Sequence, residues 1–315
     1  MGLAGLSLAW NAAVPLLGEA AGSVSLVASG MAALVFCALV VAGLWRLHRH
    51  PGAWADDLRH PVRHLFVATM PVALLLLAGC AVAAGLHGLW LHALWWAGCA
   101  AQLTVTVWVL ARAWLARPGL NPSVPWPVLT PSLVIPIVGN VLVPIAGVPL
   151  GHTTWAAVQF SIGLLLWPLV MWVLLQRWRK HGLWPERLLP STFIFVAPPA
   201  AVGISALRFD AAPEVVWAIW GLTLLTLASL APLLRRIAAL PFSMVHWGMS
   251  FPMAAATALT LRLATGGAMS VLSLALLAIT SLLVAALTLA TVRGLRDGTL
   301  LKPEAITITS ASVSS

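Results

Sequence analysis

The sequence predicts an all-α integral membrane protein of ten transmembrane helices, with the odd-numbered helices as an inner set and the even-numbered ones as an outer jacket. Three observations carry this reading: the scarcity of charge, the placement of the basic residues, and the spacing of the intramembrane prolines. Of 315 residues, 61% are hydrophobic and 8% are charged, and the mean hydropathy is +0.99. A soluble protein carries roughly 25% charged residues. Here 17 Lys and Arg with 8 Asp and Glu cannot cover a globular surface of this length. Soluble enzymes and nucleic-acid-binding proteins are therefore excluded, although a net charge of +9 would suggest nucleic acid in a soluble domain.

A membrane span needs about 20 apolar residues. Runs bounded by charge or by Pro and Gly give spans at 1–17, 24–46, 62–85, 88–112, 128–148, 153–178, 190–209, 213–234, 242–265 and 268–292. The loops are too short to hold an extramembrane domain. Residues 1–292 thus read as one transmembrane domain and 293–315 as a tail, whose Ser/Thr-rich end, Thr307–Ser315, has a disordered composition. No basic region or cleavage site precedes the first apolar stretch, so no signal peptide is expected. Among the 17 tryptophans, Trp45, Trp90, Trp114, Trp155 and Trp178 lie at the ends of apolar runs, where indole favours the headgroup level.

The basic residues fall on one side of this topology. Arg46, Arg49, Arg59 and Arg63 flank the loop after span 2, and Arg112 and Arg117 follow span 4. Arg177, Arg179, Lys180 and Arg187 follow span 6, Arg235 and Arg236 follow span 8, and Arg293, Arg296 and Lys302 follow span 10. Only Arg208 and Arg262 fall on the opposite side. The positive-inside rule places both termini in the cytoplasm. A miscount of one span would scramble the alternation, so the asymmetry supports ten spans independently of hydropathy.

Spans 3, 5, 7 and 9 each carry proline well inside the apolar run: Pro71, Pro136 with Pro144, Pro198 with Pro199, and Pro252. Among even spans only the sixth does, at Pro168. Pro71, Pro136, Pro198 and Pro252 are spaced 65, 62 and 54 residues apart, about one helical hairpin each. Intramembrane proline breaks backbone hydrogen bonds and is tolerated where neighbouring helices or a water-filled cavity satisfy them. The odd helices accordingly read as lining something. The competing reading is that prolines are simply commoner in membrane helices.

The middles of the odd spans hold no ionisable residue, only Thr69, Asn140, Thr192, Ser205, Ser250 and Thr257 as polar candidates for a pore lining. Such groups offer hydrogen bonds without fixed charge, although hydroxyls also pack between membrane helices. Proton relays and tight ion sites usually carry intramembrane charge. Its absence favours weak-binding conduction, in which an ion leaves as readily as it enters. The cytoplasmic basic residues raise the local anion concentration or serve topology and lipid headgroups alone. Phe251 precedes Pro252, whose ring disfavours helical geometry at the residue before it. A phenyl ring there suits an apolar plug, since hydrophobic constrictions gate by dewetting; a packing or lipid-facing side chain is the alternative, as for Phe36 and Phe160.

Four stretches carry a family resemblance: GLAGLSLAW (Gly2–Trp10), HPVRHLFVATMP (His60–Pro71), PSTFIFVAPPAAVGISAL (Pro190–Leu207) and VHWGMSFPMA (Val245–Ala254). Together they resemble the tellurite-resistance/dicarboxylate transporter family, which includes bacterial TehA, fungal malate and sulfite permeases and plant slow anion channels. The resemblance implies a homotrimer in the bacterial cytoplasmic membrane. Each protomer would hold five helical hairpins around a central pore lined by the odd helices. It implies a pore-plugging phenylalanine in helix 9 at Phe251, and a first helix that begins partway through the family's motif at Met1. The family's helix 1 carries, upstream of that point, a glycine packed near the gate. The expected function is permeation of small anions, namely chloride or nitrate, C4-dicarboxylates such as malate, or sulfite or tellurite. A coupled secondary exporter of the same anions is the alternative, and an embedded redox enzyme a third.

No cofactor, metal site or enzymatic activity is expected. Cys37, Cys80 and Cys99 sit singly in apolar runs without C-x-x-C spacing and read as buried inert thiols. His60 and His64 share a helix face, His87 and His92 flank span 4, His246 opens span 9, and His48, His50, His152 and His181 lie in loops. None has a carboxylate or cysteine at ligand spacing. His64 or His246 near the pore mouth suits a pH sensor. No G-x-S-x-G, H-E-x-x-H or phosphate-loop pattern occurs.

Overall fold

The computed structural model describes residues 1–59, 63–116 and 129–301. His60, Arg117, Lys302 and the Ser/Thr-rich tail lie outside the described residues. The helices are α1 (Gly2–Ala12), α2 (Val14–Leu17), α3 (Glu19–Arg49), α4 (Pro51–Arg59), α5 (Thr69–Ala83), α6 (Leu89–Ala116) and α7 (Ile135–Val141). They continue with α8 (Pro144–Gly147), α9 (Thr153–His181), α10 (Ala197–Arg208), α11 (Pro213–Leu230), α12 (Leu234–Ala238), α13 (Ser250–Leu263) and α14 (Gly267–Arg296). No strand occurs among the described residues. Seven helical stretches are long and apolar enough to cross a membrane: Glu19–Arg49, His64–Ala83, Leu89–Arg112, Thr153–His181, Glu186–Arg208, Pro213–Ala238 and Gly267–Arg296. Three further apolar segments are shorter: α1 with α2, residues Pro131–Gly147, and the stretch ending in α13.

Burial separates two sets of helices. In an apolar 18-residue window, 89% of the residues are buried within Glu186–Arg208 and only 17% within Glu19–Arg49. Every residue of α7 and α8 is buried, and so is every residue of α13 except Arg262. The buried segments close a ring. α1 packs on α5, α5 on α7 and α8, these on α10, α10 on α13, and α13 back on α1. Each also packs on the long helix that follows it: α1 on α3, α5 on α6, α7 on α9, α10 on α11 and α13 on α14. The outer helices present Leu26, Leu34, Leu39, Leu165, Leu225 and Leu282 outward. That is the side chain expected where the neighbour is lipid.

Sequence explains why the inner helices are short. Four of them begin with a 3₁₀ stretch, Arg63–Ala68, Pro131–Val134, Glu186–Val196 and Met244–Met249, and turn α-helical within a few residues of a proline. Proline has no N–H to return to the carbonyl four residues back, so the turn before it is left to 3₁₀ bonding. Pro71, Pro136, Pro198, Pro199 and Pro252 all sit in the first turn of their α-helices, where the missing N–H costs nothing. These prolines begin α-helices, whereas Pro168 lies inside one. Pro71 and Pro252 repeat a small motif. Thr69 donates to the Phe66 carbonyl at 2.6 Å and Ser250 to the Trp247 carbonyl at 2.7 Å, each hydroxyl two residues before its proline.

A buried polar cluster fastens α7 to its jacket. The Pro136 carbonyl accepts from Gln102 Nε2 (2.7 Å), Thr106 Oγ1 (2.7 Å) and Asn140 Nδ2 (3.1 Å). Asn140 Oδ1 accepts from Gln159 Nε2 at 3.1 Å, and Gln159 Oε1 accepts from Trp155 at 3.0 Å. These bonds tie α6, α7 and α9 together where lipid could satisfy none of the groups.

The outer helices end in basic residues. Arg46, His48 and Arg49 close α3, Arg179, Lys180 and His181 close α9, and Arg293 and Arg296 close α14, complementing the helix dipoles. Several of these cations have partners. Arg46 pairs with Asp57, and Arg236 with Glu186 at 3.1 Å. Arg177 donates to the Gly182 carbonyl at 2.5 Å and lies 4.7 Å from the centre of the Trp184 ring. Trp45, Trp90 and Trp178 are exposed, whereas Trp155 is half-buried. Cys80 and Cys99 are buried free thiols, but Cys37 faces outward from α3. An apolar run there meets the surroundings of the jacket rather than a protein core, which the expectation of burial had not separated.

Candidate functional site

At the centre of the inner ring is a narrow cavity of about 20 Å³. All five inner segments wall it: Gly5 and Leu8 from α1, Leu76 from α5, and Leu142 and Ile145 from the α7–α8 segment. Ile204 of α10 and one face of α13 complete it. That face is Phe251, Ala254, Ala255, Ala258 and Arg262, spaced as one stripe of a helix with small residues in its middle. The volume is room for about one water molecule. The cavity has no room for a hydrated ion.

Phe251 is 7% exposed and packs against α1 at Gly5. A Cβ built on Gly5 would stand 3.1 Å from Phe251 Cδ2 and 3.0 Å from the Ala254 methyl, so only glycine lets the ring lie there unshifted. Within this chain the residue against the ring is Gly5. One expectation needs correction. Phe251 is the second residue of α13 and α-helical. The distortion assigned to it by Pro252 is taken up by the 3₁₀ turn Met244–Met249, one residue earlier.

The other candidate residues are placed as follows. None of Pro71, Pro136, Pro198, Pro199 and Pro252 lines the cavity. Thr69, Thr192 and Ser250 each donate to a carbonyl three residues back. Ser205 donates to the Val141 carbonyl, joining α10 to α7. Asn140 points to α6 and α9, and Thr257 bonds Thr280 of α14 at 2.8 Å. These hydroxyls and the amide are thus engaged in holding broken helices together, and none is among the cavity-lining residues.

Two residues that matter were not singled out. Arg262 lines the cavity at the opposite end of the α13 stripe from Phe251, and the charge of Arg208 on α10 acts on it directly. The Nε atoms of both are buried without a hydrogen-bond acceptor among the described residues. The signal was present: these are the two cations that break the charge asymmetry of the loops. The second omission is a histidine pair. His92 Nδ1 and His152 Nε2 lie 2.8 Å apart, with the His152 ring stacked on buried Trp95. His246 is engaged differently, its Nδ1 accepting from the Ser243 N–H at 3.2 Å as a helix cap. No group of three or more His, Cys, Asp or Glu side chains suited to a metal occurs among the described residues.

Comparison with known proteins bears on this arrangement. Residues 1–292 match the model of a family described as voltage-dependent anion channel (SLAC1). Over 153 residues, 46% of this chain, the sequence is 28% identical to the S-type anion channel SLAH2 of Arabidopsis thaliana. That stretch covers 29% of the plant protein, so the chain matches less than a third of this relative's length. The family match reaches across every helix from α1 to most of α14, and the chain is a multi-pass membrane protein belonging to the voltage-dependent anion channel family.

Proposed function

We propose that this protein conducts small anions across the membrane along the axis of the inner ring, with the Phe251 ring as its gate. The single observation that carries the reading is the cavity walled by all five inner segments, with Phe251 in its wall. Around it the chain crosses the bilayer ten times as five hairpins, with both termini cytoplasmic, and assembles as a homotrimer.

Helix geometry supports ten crossings although seven helices meet the usual length. A 3₁₀ stretch rises about 2.0 Å per residue and an α-helix about 1.5 Å. Met244–Leu263, six 3₁₀ residues and fourteen α-helical ones, therefore reaches roughly 33 Å, enough for a hydrocarbon core of about 30 Å. Pro131–Gly147 reaches roughly 27 Å by the same count. Extending the first part of each helix lets a short, proline-started segment span the membrane inside a protein jacket.

The walls of the cavity are apolar apart from Arg262. Conduction then depends on brief dehydration at a narrow point rather than on a tight site, which suits a channel. Chloride or nitrate, C4-dicarboxylates, and sulfite or tellurite are the candidate permeants. The test is anion current in a reconstituted bilayer, wild type against Phe251→Ala, under each anion in turn. A large anion-selective current in the variant, and little in the wild type, is expected. Flux that follows a proton gradient and ignores voltage would instead establish the coupled exporter.

A further inference from the structure

We infer that Arg262 and Arg208 form an anion-binding site at the end of the path remote from Phe251, taking one small singly charged anion at a time; this rests on the path proposed above. Arg262 lies 11 residues beyond Phe251, about 16 Å along the helix axis. Its neighbours in the cavity wall are alanine and aliphatic side chains.

Both guanidinium groups have a buried Nε with no acceptor among the described residues. On the cytoplasmic side, Arg46, Arg177 and Arg236 each reach a carboxylate or a carbonyl. Arg208 and Arg262 bear on each other with like charge, and neither forms an ion pair or hydrogen bond among the described residues. Asp210 and Glu214, the nearest carboxylates along the sequence, form no ion pair with either arginine.

Placement at the end of α10 and α13 is enforced by packing. A Cβ on Gly203 would come within 2.6 Å of the Leu259 side chain, so glycine brings the two helices together one turn before the arginines. A buried Nε–H without an acceptor is costly, and so is a second like charge beside it. An anion relieves both costs at once, accepting from the planar forks of the two side chains. Size restricts the ligand. The cavity that Arg262 lines has room for about one water, which favours a small inorganic anion over a four-carbon dicarboxylate as the bound ligand.

The test reads binding directly, with conduction as a separate arm. Thermal unfolding of the purified full-length protein is followed against chloride and nitrate, at ionic strength held constant with a bulky organosulfonate. The wild type gains stability with a saturating dependence on the small anion. Arg262→Gln and Arg208→Gln each raise the half-saturating concentration at least tenfold, Arg262→Lys raises it less, and Arg296→Gln leaves it unchanged. A wild type without anion-dependent stabilisation, or glutamine variants that keep the wild-type half-saturation, overturns the site. Should a glutamine variant fail to fold, the lysine variant decides: an unchanged half-saturation rejects the proposal. The second arm adds Arg262→Gln to Phe251→Ala and expects a several-fold lower anion current. If Phe251→Ala passes no current while stabilisation still depends on the arginines, the gate is wrong and the binding site stands.

Discussion

Helices α13 and α14 follow one another in the chain and use much the same small apolar residues, yet they solve opposite problems. α13 has 14 residues, starts from a 3₁₀ turn at a proline, and is buried along its length except at Arg262. α14 runs for 30 unbroken residues and turns Val271, Ile279, Leu282 and Leu289 outward. The difference is one of solvent. Lipid offers no hydrogen bond, so a helix that faces it must keep every backbone bond to itself. A helix wrapped by others is free to break its ladder, as α13 does in its 3₁₀ start. The jacket makes the broken interior affordable.

The largest effect should come from exchanging these roles. Leu282→Pro removes an exposed side chain that packs on nothing, but it breaks the α14 ladder where protein does not cover it. A loss of about 3 kcal/mol or more is expected, read as failure to accumulate in membranes or a collapse of the melting temperature. Pro252→Ala, at the first turn of α13, should cost about 1 kcal/mol or less. Comparable losses in the two variants would erase the distinction between the helix sets.

A smaller effect is expected at the seam between them. Asn140→Leu leaves Gln159 Nε2 and Thr106 Oγ1 short of their buried partner. It should cost about 1–3 kcal/mol in thermal or denaturant unfolding, with little change in the anion series. A strong change of ion selectivity would instead make Asn140 a pore residue. A comparable effect is expected from Gly5→Ala, whose added methyl presses on the Phe251 ring. Overpacking of this kind costs about 1–3 kcal/mol, and basal anion leak should rise, though less than in Phe251→Ala. A Gly5→Ala protein that leaks no more than wild type would separate the ring position from the gate.

Much of the helix pattern was legible in the sequence because membrane burial writes long apolar runs and proline marks the buried ones. The 3₁₀ starts were harder to see. Pro71 and Pro252 announce a broken ladder, but not on which side of the proline the irregular turn falls. Asn140 looked like a pore residue because a lone amide in an apolar run has no visible partner. Its partners on other helices, Thr106 and Gln159, lie 34 and 19 residues away in sequence. Arg262 was passed over because it sits at a helix end, where arginine usually reaches water. Only the packing of α10 on α13 places it in the cavity wall.

The central claim is that ions move through the inner ring rather than along the jacket, and accessibility of one position tests it most directly. In a Phe251→Ala background with Cys37, Cys80 and Cys99 replaced, Ala258→Cys sits on the α13 stripe and Leu282→Cys on the outer face of α14. A small charged thiol reagent should abolish anion current at Ala258→Cys and leave it intact at Leu282→Cys. Current untouched by modification at position 258, or blocked from position 282, would contradict the account.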